Sequence, residues 1–152
     1  NGGLCIDVRG QIIPMKDPDE KGKWICKLTS RLYLVFATNE EGAVTEMRIH
    51  EIIQMNRKSD PEEIPEGVPA EIIPFLGSYL LPQAKAEFTV LWDDGRMAVD
   101  NPFEEGVVHF DPPDEEGWRL DEHGRHSISF QMDDNGKPIA LLLNTANTCT
   151  RK

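Results

Sequence analysis

The sequence predicts an all-β protein, an antiparallel meander that closes into one or two small barrels built from an internal repeat. Three observations carry this. Apolar residues alternate at period two through most of the chain. The alternating runs end at Gly, Pro, Asn or Asp, the residues that turn a strand back on itself. And the chain repeats one phrase, PDEKGKW at residues 18–24 and PDEEGW at 113–118.

The elements follow in order. RLYLVFATNEEG places Leu32, Leu34 and Phe36 on one face and turns between Asn39 and Gly42. AVTEMRIHEIIQM continues with Val44, Thr45, Met47, Ile49 and Ile52. RKSDPEEIPEGVPAEIIPFLG, residues 57–77, holds four prolines among acids and reads as a connector with a short helical turn near 70–75. EFTVLWDDGRMAVDNP reads as strand, Asp94-Gly95 turn, strand, because glycine accepts positive φ without steric cost. HSISFQMDDNGKPIALLL repeats that layout, with Ile128 and Phe130 inward and the turn at Asn135-Gly136.

Laying Trp24 over Trp118 gives an offset of 94 residues. It carries Phe36 onto Phe130, Gly42 onto Gly136, Met47 onto Leu141, Ile49 onto Leu143 and Arg57-Lys58 onto Arg151-Lys152, with no gap. Upstream, NGGLCID matches DDGRMAVD with a small gap. We therefore divide the chain into a first, partial repeat at 1–58, a connector at 59–72 and a second, complete repeat at 73–152. The second copy has opening strands, PFLGSYLLP and AEFTVLW, that the first lacks. Either the chain is cut from something longer, or both copies share one sheet, because a half-repeat with bare edges invites aggregation. The abrupt opening, NGGLCIDV, fits a piece of a larger protein.

The chain has 152 residues, 39% hydrophobic and 28% charged, with a net charge of −11. Such a chain buries a sizeable core. The charge argues against nucleic acid and anionic membranes, which need clustered Lys and Arg. No run approaches the apolar length of a membrane helix. Cys5, Cys26 and Cys149 lack CxxC spacing. Buried single thiols are the preferred reading, and one disulfide with a spare thiol is the other.

Chemistry is sparsely written. Neither G-x-S-x-G nor S-x-x-K occurs, and Gly77-Ser78-Tyr79 reads as a strand opening. His123 and His126, beside Asp121 and Glu122, have a metal-like spacing but sit in a polar loop, DEHGRH. Asp111, Asp114, Glu115 and Glu116 cluster oxygens without the register of a calcium loop. No residue is assigned to catalysis, to a cofactor or to a metal. The inward positions are expected at Trp24, Leu34, Phe36, Met47, Trp118, Ile128, Phe130 and Leu141, where packing is the plain reading. Among them Trp24, Phe36, Trp118 and Phe130 are the candidate contacts for a small apolar ligand inside a barrel.

Three phrases resemble a family. Gly77 and Tyr79 resemble its GxY strand. Gly95, Met97 and Pro102 resemble a strand ending in GxLxxxxP. Phe130, Asp134, Gly136 and Lys137 resemble its final F…D…GKxxxLxL hairpin. A partial second match covers NGGLCIDVRGQ and LYLVFATNEEGAVTEMRIH. The family is the lipocalin-like β-barrel domain that follows the catalytic domain in serine β-lactamase-like, or penicillin-binding-protein-like, hydrolases. The resemblance implies a non-catalytic accessory module for binding or scaffolding in a larger bacterial hydrolase, in a periplasmic or secreted setting. Its partners would be that catalytic domain in cis or a second copy. A lipocalin-like carrier of a small apolar ligand is the alternative. An independent enzyme built on His123, His126 and nearby acids is a third reading. The residues themselves leave compartment and oligomeric state open.

Overall fold

The computed structural model describes residues 3–150. Its strands are β1 (Cys5–Val8), β2 (Gln11–Pro14), β3 (Trp24–Ile25), β4 (Leu32–Thr38), β5 (Val44–Ser59), β6 (Gly77–Leu81), β7 (Ala86–Asp93), β8 (Arg96–Asp100), β9 (Val107–Phe110), β10 (Arg119–Leu120), β11 (His126–Met132) and β12 (Pro138–Thr150). The all-β class read from the sequence is what the chain adopts, with antiparallel sheets. One 3₁₀ turn, Ile73–Phe75, ends the proline-rich connector where a helical turn was expected.

β1 and β2 form a two-stranded sheet. The other ten strands follow the order β10-β11-β12-β5-β6-β7-β8-β9, with β4 paired to β5 and β3 to β4 beside that path. The first and last strands of the order also meet. Phe110 bridges Asp121, the Asp111 amide donates to the Leu120 carbonyl at 2.9 Å, and the Glu122 amide donates to the His109 carbonyl at 2.9 Å.

Turn chemistry sets this meander. Five loops share one design, Asp or Asn, two polar residues, Gly, and one more. They start at Asp19, Asn39, Asp114, Asp121 and Asp133. In each, the first side chain accepts from the backbone amides two and four residues on, at 2.8–3.0 Å. The glycine amide closes the turn onto the first residue's carbonyl, with the glycine left-handed. This is a type I turn followed by a left-handed residue, which reverses a strand in three residues. Arg9-Gly10 and Asp94-Gly95 instead have positive φ at both positions, the two-residue hairpin turn.

The chain divides into two compact units, Asn1–Ile52 with Asn144–Lys152, and Ile53–Leu143. β5 and β12 each contribute to both. The first unit packs Ile6, Met15, Cys26 and Leu34, with Trp24, Phe36, Met47 and Ile49 partly buried around them. The second unit buries a larger core that includes Met55, Leu76, Tyr79, Phe88, Val90, Met97, Phe110, Ile128 and Leu141. The connector is not a bare linker, since Ile72 and Leu76 enter this core and Val68 and Phe75 pack against it.

The two tryptophans are placed differently. Trp24 opens β3 and pairs with Leu34, whereas Trp118 precedes β10, where Arg119 pairs with Ile128. Trp118 closes its turn where Lys23 closes the other. The loop after β10 is one residue shorter than the loop after β3, and a slip of one residue reverses the face of a strand. The cysteines are also placed differently from expectation. All three are free, but only Cys26 is buried, and Cys5 and Cys149 are exposed.

Gly77 stands at φ 137°, and a Cβ there would press into the Ser59 carbonyl oxygen. Gly42, also left-handed, has open space around it. Gly77→Ala is therefore expected to cost about 3 kcal/mol or more and Gly42→Ala only about 1 kcal/mol, read as shifts in urea midpoint. Equal costs would refute the close-approach argument.

Candidate functional site

The polar centre of the second unit is Arg57. It lies on β5 in the alternation Ile53, Met55, Arg57, so its side chain points to the face that Met55 buries. A cation there must be fully partnered, because desolvating it costs several kcal/mol. One terminal nitrogen, Nη1, donates to the Pro74 carbonyl and to the Tyr79 hydroxyl, both at 2.9 Å. The other, Nη2, donates to the Leu76 carbonyl at 2.8 Å and to Asp60 Oδ1 at 3.0 Å. Tyr79 passes the network on, donating to the Phe75 carbonyl at 2.8 Å. Arg57 stands opposite Tyr79, and a register irregularity just beyond it sets Ser59 opposite Ser78.

This network holds the connector against the sheet and forms one side of a cleft of about 460 Å³. Pro61, Ile64, Ile73 and Pro74 give apolar walls, Asp60 and Lys137 give one charge of each sign, and Asn135-Gly136 form the rim. The hydrogen bond from Arg57, helped by the field of Lys137, holds the Asp60 carboxyl below its ordinary range. Burial pushes the Tyr79 phenol up to about 12, against the opposing charge of Arg57. The lining contains no serine, threonine, cysteine or histidine, so it offers no covalent nucleophile of those types.

Two further constellations exist. His109 on β9 bridges two acids, with Nε2 2.8 Å from Asp93 Oδ2 and Nδ1 3.4 Å from Glu122 Oε1. Glu122 also lies 3.6 Å from Arg96, and its carboxyl is lowered chiefly by the His109 backbone amide. In the first unit His50 stacks on Tyr33 at 4.5 Å and meets Asn144 Oδ1 at 3.1 Å, while Asn144 donates to the Tyr33 hydroxyl at 2.9 Å. Desolvation lowers the His50 pKa.

The sequence-derived contacts fall apart in space. Trp24 and Phe36 meet edge to face at 6.4 Å in the first unit. Phe130 packs on Phe75 at 4.7 Å and on Tyr79 at 5.8 Å in the second. Trp118 is half-buried, and its amide closes the turn on Asp114. His123 is largely exposed and reaches only to 3.9 Å of Glu122, whereas His126 buries an Nδ1 that has no hydrogen-bond partner. Among the described residues no group of three or more His, Cys, Asp or Glu is arranged to hold a metal ion. Asp114 spends Oδ1 on its own turn. No helix among them is long and apolar enough to cross a membrane.

Sequence reasoning missed the Arg57–Tyr79 pair. The available signal was an arginine on the apolar parity of a strand, a position that demands buried acceptors. Arg57→Met is expected to cost about 3–5 kcal/mol, since it strands two carbonyls and a phenol. Tyr79 adds a pH signature. Its folded pKa lies above the usual 10.0, so the stabilisation is complete below pH 10 and is lost as pH rises toward 12. Urea midpoints of the native chain should therefore fall more steeply across that window than those of Tyr79→Phe, by roughly 2 kcal/mol. Parallel curves would overturn this.

Comparison with family models, with curated proteins and with solved structures found no match to this chain.

Proposed function

We propose that the chain is a non-catalytic accessory module of a bacterial serine β-lactamase-like hydrolase, serving binding or scaffolding. In this reading β1–β5 and β6–β12 are two copies of one repeat, and the Phe110–Asp121 bridge closes the second unit into a small lipocalin-like barrel. Its partner is a catalytic domain in cis or a second copy.

The observation that carries the reading is the filled interior of the second unit. Tyr79, Leu76, Val90, Met97, Ile128 and Leu141 are each no more than 1% exposed. Side chains at that packing leave no room for a guest of the size a carrier holds. The cleft lies instead beside the connector. It is amphipathic and lacks a hydroxyl, thiol or imidazole nucleophile, which suits recognition of a polypeptide better than turnover.

The resemblance gains physical content as well. The residues that carry it are ones the fold needs. Gly77 admits the close approach of Ser59, Tyr79 anchors Arg57, Gly95 makes a hairpin turn, Met97 is buried and Gly136 completes a loop. Spacing between copies supports the repeat. β4 and β11 are both seven residues long and begin 94 residues apart, as do β5 and β12. The bridges Met15–Cys26 and Phe110–Asp121 stand 95 apart.

Two assays test this on the purified chain. Titration with an anilinonaphthalene sulfonate dye should give no saturable, stoichiometric binding, and saturation would favour the carrier. A chromogenic cephalosporin and p-nitrophenyl acetate should turn over at the buffer rate, and enzyme-like turnover would remove the non-catalytic reading.

A further inference from the structure

The cleft beside the connector carries two opposite charges that do not neutralise each other directly. Asp60 and Lys137 both line it, yet their charged atoms form no ion pair within 4.0 Å. Lys137 is still close enough for its field to hold the Asp60 carboxyl down. The charges therefore stand farther apart than a salt bridge and within the roughly 8–10 Å over which exposed charges act in salt water.

Each charge is held by a fixed support. Asp60 Oδ1 accepts from Arg57 Nη2 at 3.0 Å, which leaves Oδ2 without a donor among the described residues. Lys137 leaves a hairpin loop that is tied at both of its backbone polar atoms. Its amide donates to Asp133 Oδ1 at 2.8 Å, and its carbonyl accepts from the Asp133 amide at 2.8 Å. The Lys137 side chain is exposed, and its ammonium has no partner among the described residues. Lys23, at the same place in the loop from Asp19, instead lies over the Tyr33 ring at 4.9 Å. Charges set in advance on fixed backbone lose little freedom when a ligand joins them.

The rest of the lining selects the ligand. Pro61 and Pro74 have no backbone N–H, so these walls offer apolar contact and no ladder for an added strand. An internal polypeptide segment would bring peptide groups that such walls leave unsatisfied. A short peptide with free ends brings one charge of each sign instead. Two extended residues span about 7 Å, inside the interval between the two charges, and the long lysine stem adjusts the reach. The cleft volume of about 460 Å³ is that of a small-molecule site.

We propose that this cleft is a binding site for a short free peptide of two apolar residues. Its α-ammonium meets Asp60, its α-carboxylate meets Lys137, and its side chains lie against Ile64, Ile73 and the two prolines. The inference deepens the binding role stated under Proposed function and rests on the cleft described there. It needs neither the repeat nor a closed barrel.

The test titrates leucyl-leucine into the purified full chain by calorimetry and maps the backbone amides by NMR. One site per chain is expected, with a Kd below about 1 mM and shifts centred on residues 60–64, 73 and 135–137. N-acetylation and C-terminal amidation of the peptide should each weaken binding about fivefold. Lys137→Met replaces an exposed side chain and leaves the loop backbone in place. It should weaken leucyl-leucine about fivefold and make amidation nearly without effect, because the contact is already gone. Asp60→Asn keeps an acceptor for Arg57 and should do the same for acetylation. Lys85→Met, outside the cleft lining, should change nothing. Absence of saturation up to about 10 mM peptide would overturn the proposal. So would shifts confined to other residues, and so would equal affinity for the doubly blocked peptide, which would give the cleft to an internal polypeptide segment. Saturable binding with release of free leucine would support the site and remove the non-catalytic reading instead.

Discussion

The second unit depends on one partly buried cation and the acceptors assembled around it. Arg57 cannot be placed on an inward parity unless its donors are satisfied, because an unpaired guanidinium away from water is far costlier than the packing it displaces. Its acceptors come from three places: Asp60 just beyond β5, the Pro74 and Leu76 carbonyls at the end of the connector, and Tyr79 on β6. Satisfying the cation therefore fixes the path of the connector. That path in turn brings Phe75 over Phe130 and Ile72 and Leu76 into the core. The close approach of Ser59 to Gly77 belongs to the same knot, as does the irregular register of β5. The prolines keep the segment from forming a helix, and the arginine tells it where to lie.

A second constraint is local and recurs. The five Asp/Asn-x-x-Gly-x loops each satisfy two backbone amides with one side-chain oxygen and reverse the chain with one left-handed glycine. This design explains part of the acidity. Asp19, Asp114, Asp121 and Asp133 are carboxylates used as turn acceptors, and Asp121 takes a third amide, from His126, while buried. Most acids at the second and third loop positions are exposed, and Glu122 instead reaches His109 and Arg96. The net charge of −11 is thus tied largely to how the strands turn, and it carries a repulsion toward polyanions as a consequence.

Most of the fold was legible because period-two alternation and turn glycines are local signals. β4, β5, β7, β8 and β11 lie where the sequence placed them, and the turns at Asn39–Gly42, Asp94-Gly95 and Asn135-Gly136 are in place. The two tryptophans sit differently in register, Trp24 within β3 and Trp118 just before β10, a one-residue difference that leaves no mark on composition. The site was much less legible. Arg57, Tyr79, Pro74 and Leu76 meet through pairing between β5 and β6 and the fold-back of a loop, and neither can be read from spacing. The His109 bridge to Asp93 and Glu122 is hidden for the same reason, since its three members lie on separate segments. Of the candidate ligand contacts, Trp24 and Phe36 pack together in the first unit, and Phe130 packs on Phe75 and Tyr79 in the second.

The contrast between the two cores bears on function. An interior completed by its own side chains can neither admit a guest nor rearrange cheaply, since changing the volume of a close-packed core costs about 1–3 kcal/mol per substitution. A partner of the second unit would meet its surface, where the cleft beside the connector is shaped by Arg57, Asp60, Ile64 and Pro74. Recognition there would act on the segment that Arg57 holds, so occupancy and core stability are coupled through one guanidinium. The first unit has a smaller buried core and a ring of half-buried apolar residues, Trp24, Phe36, Met47 and Ile49 among them. Each Å² of apolar surface that these side chains remove from water contributes roughly 25 cal/mol to the stability of that core.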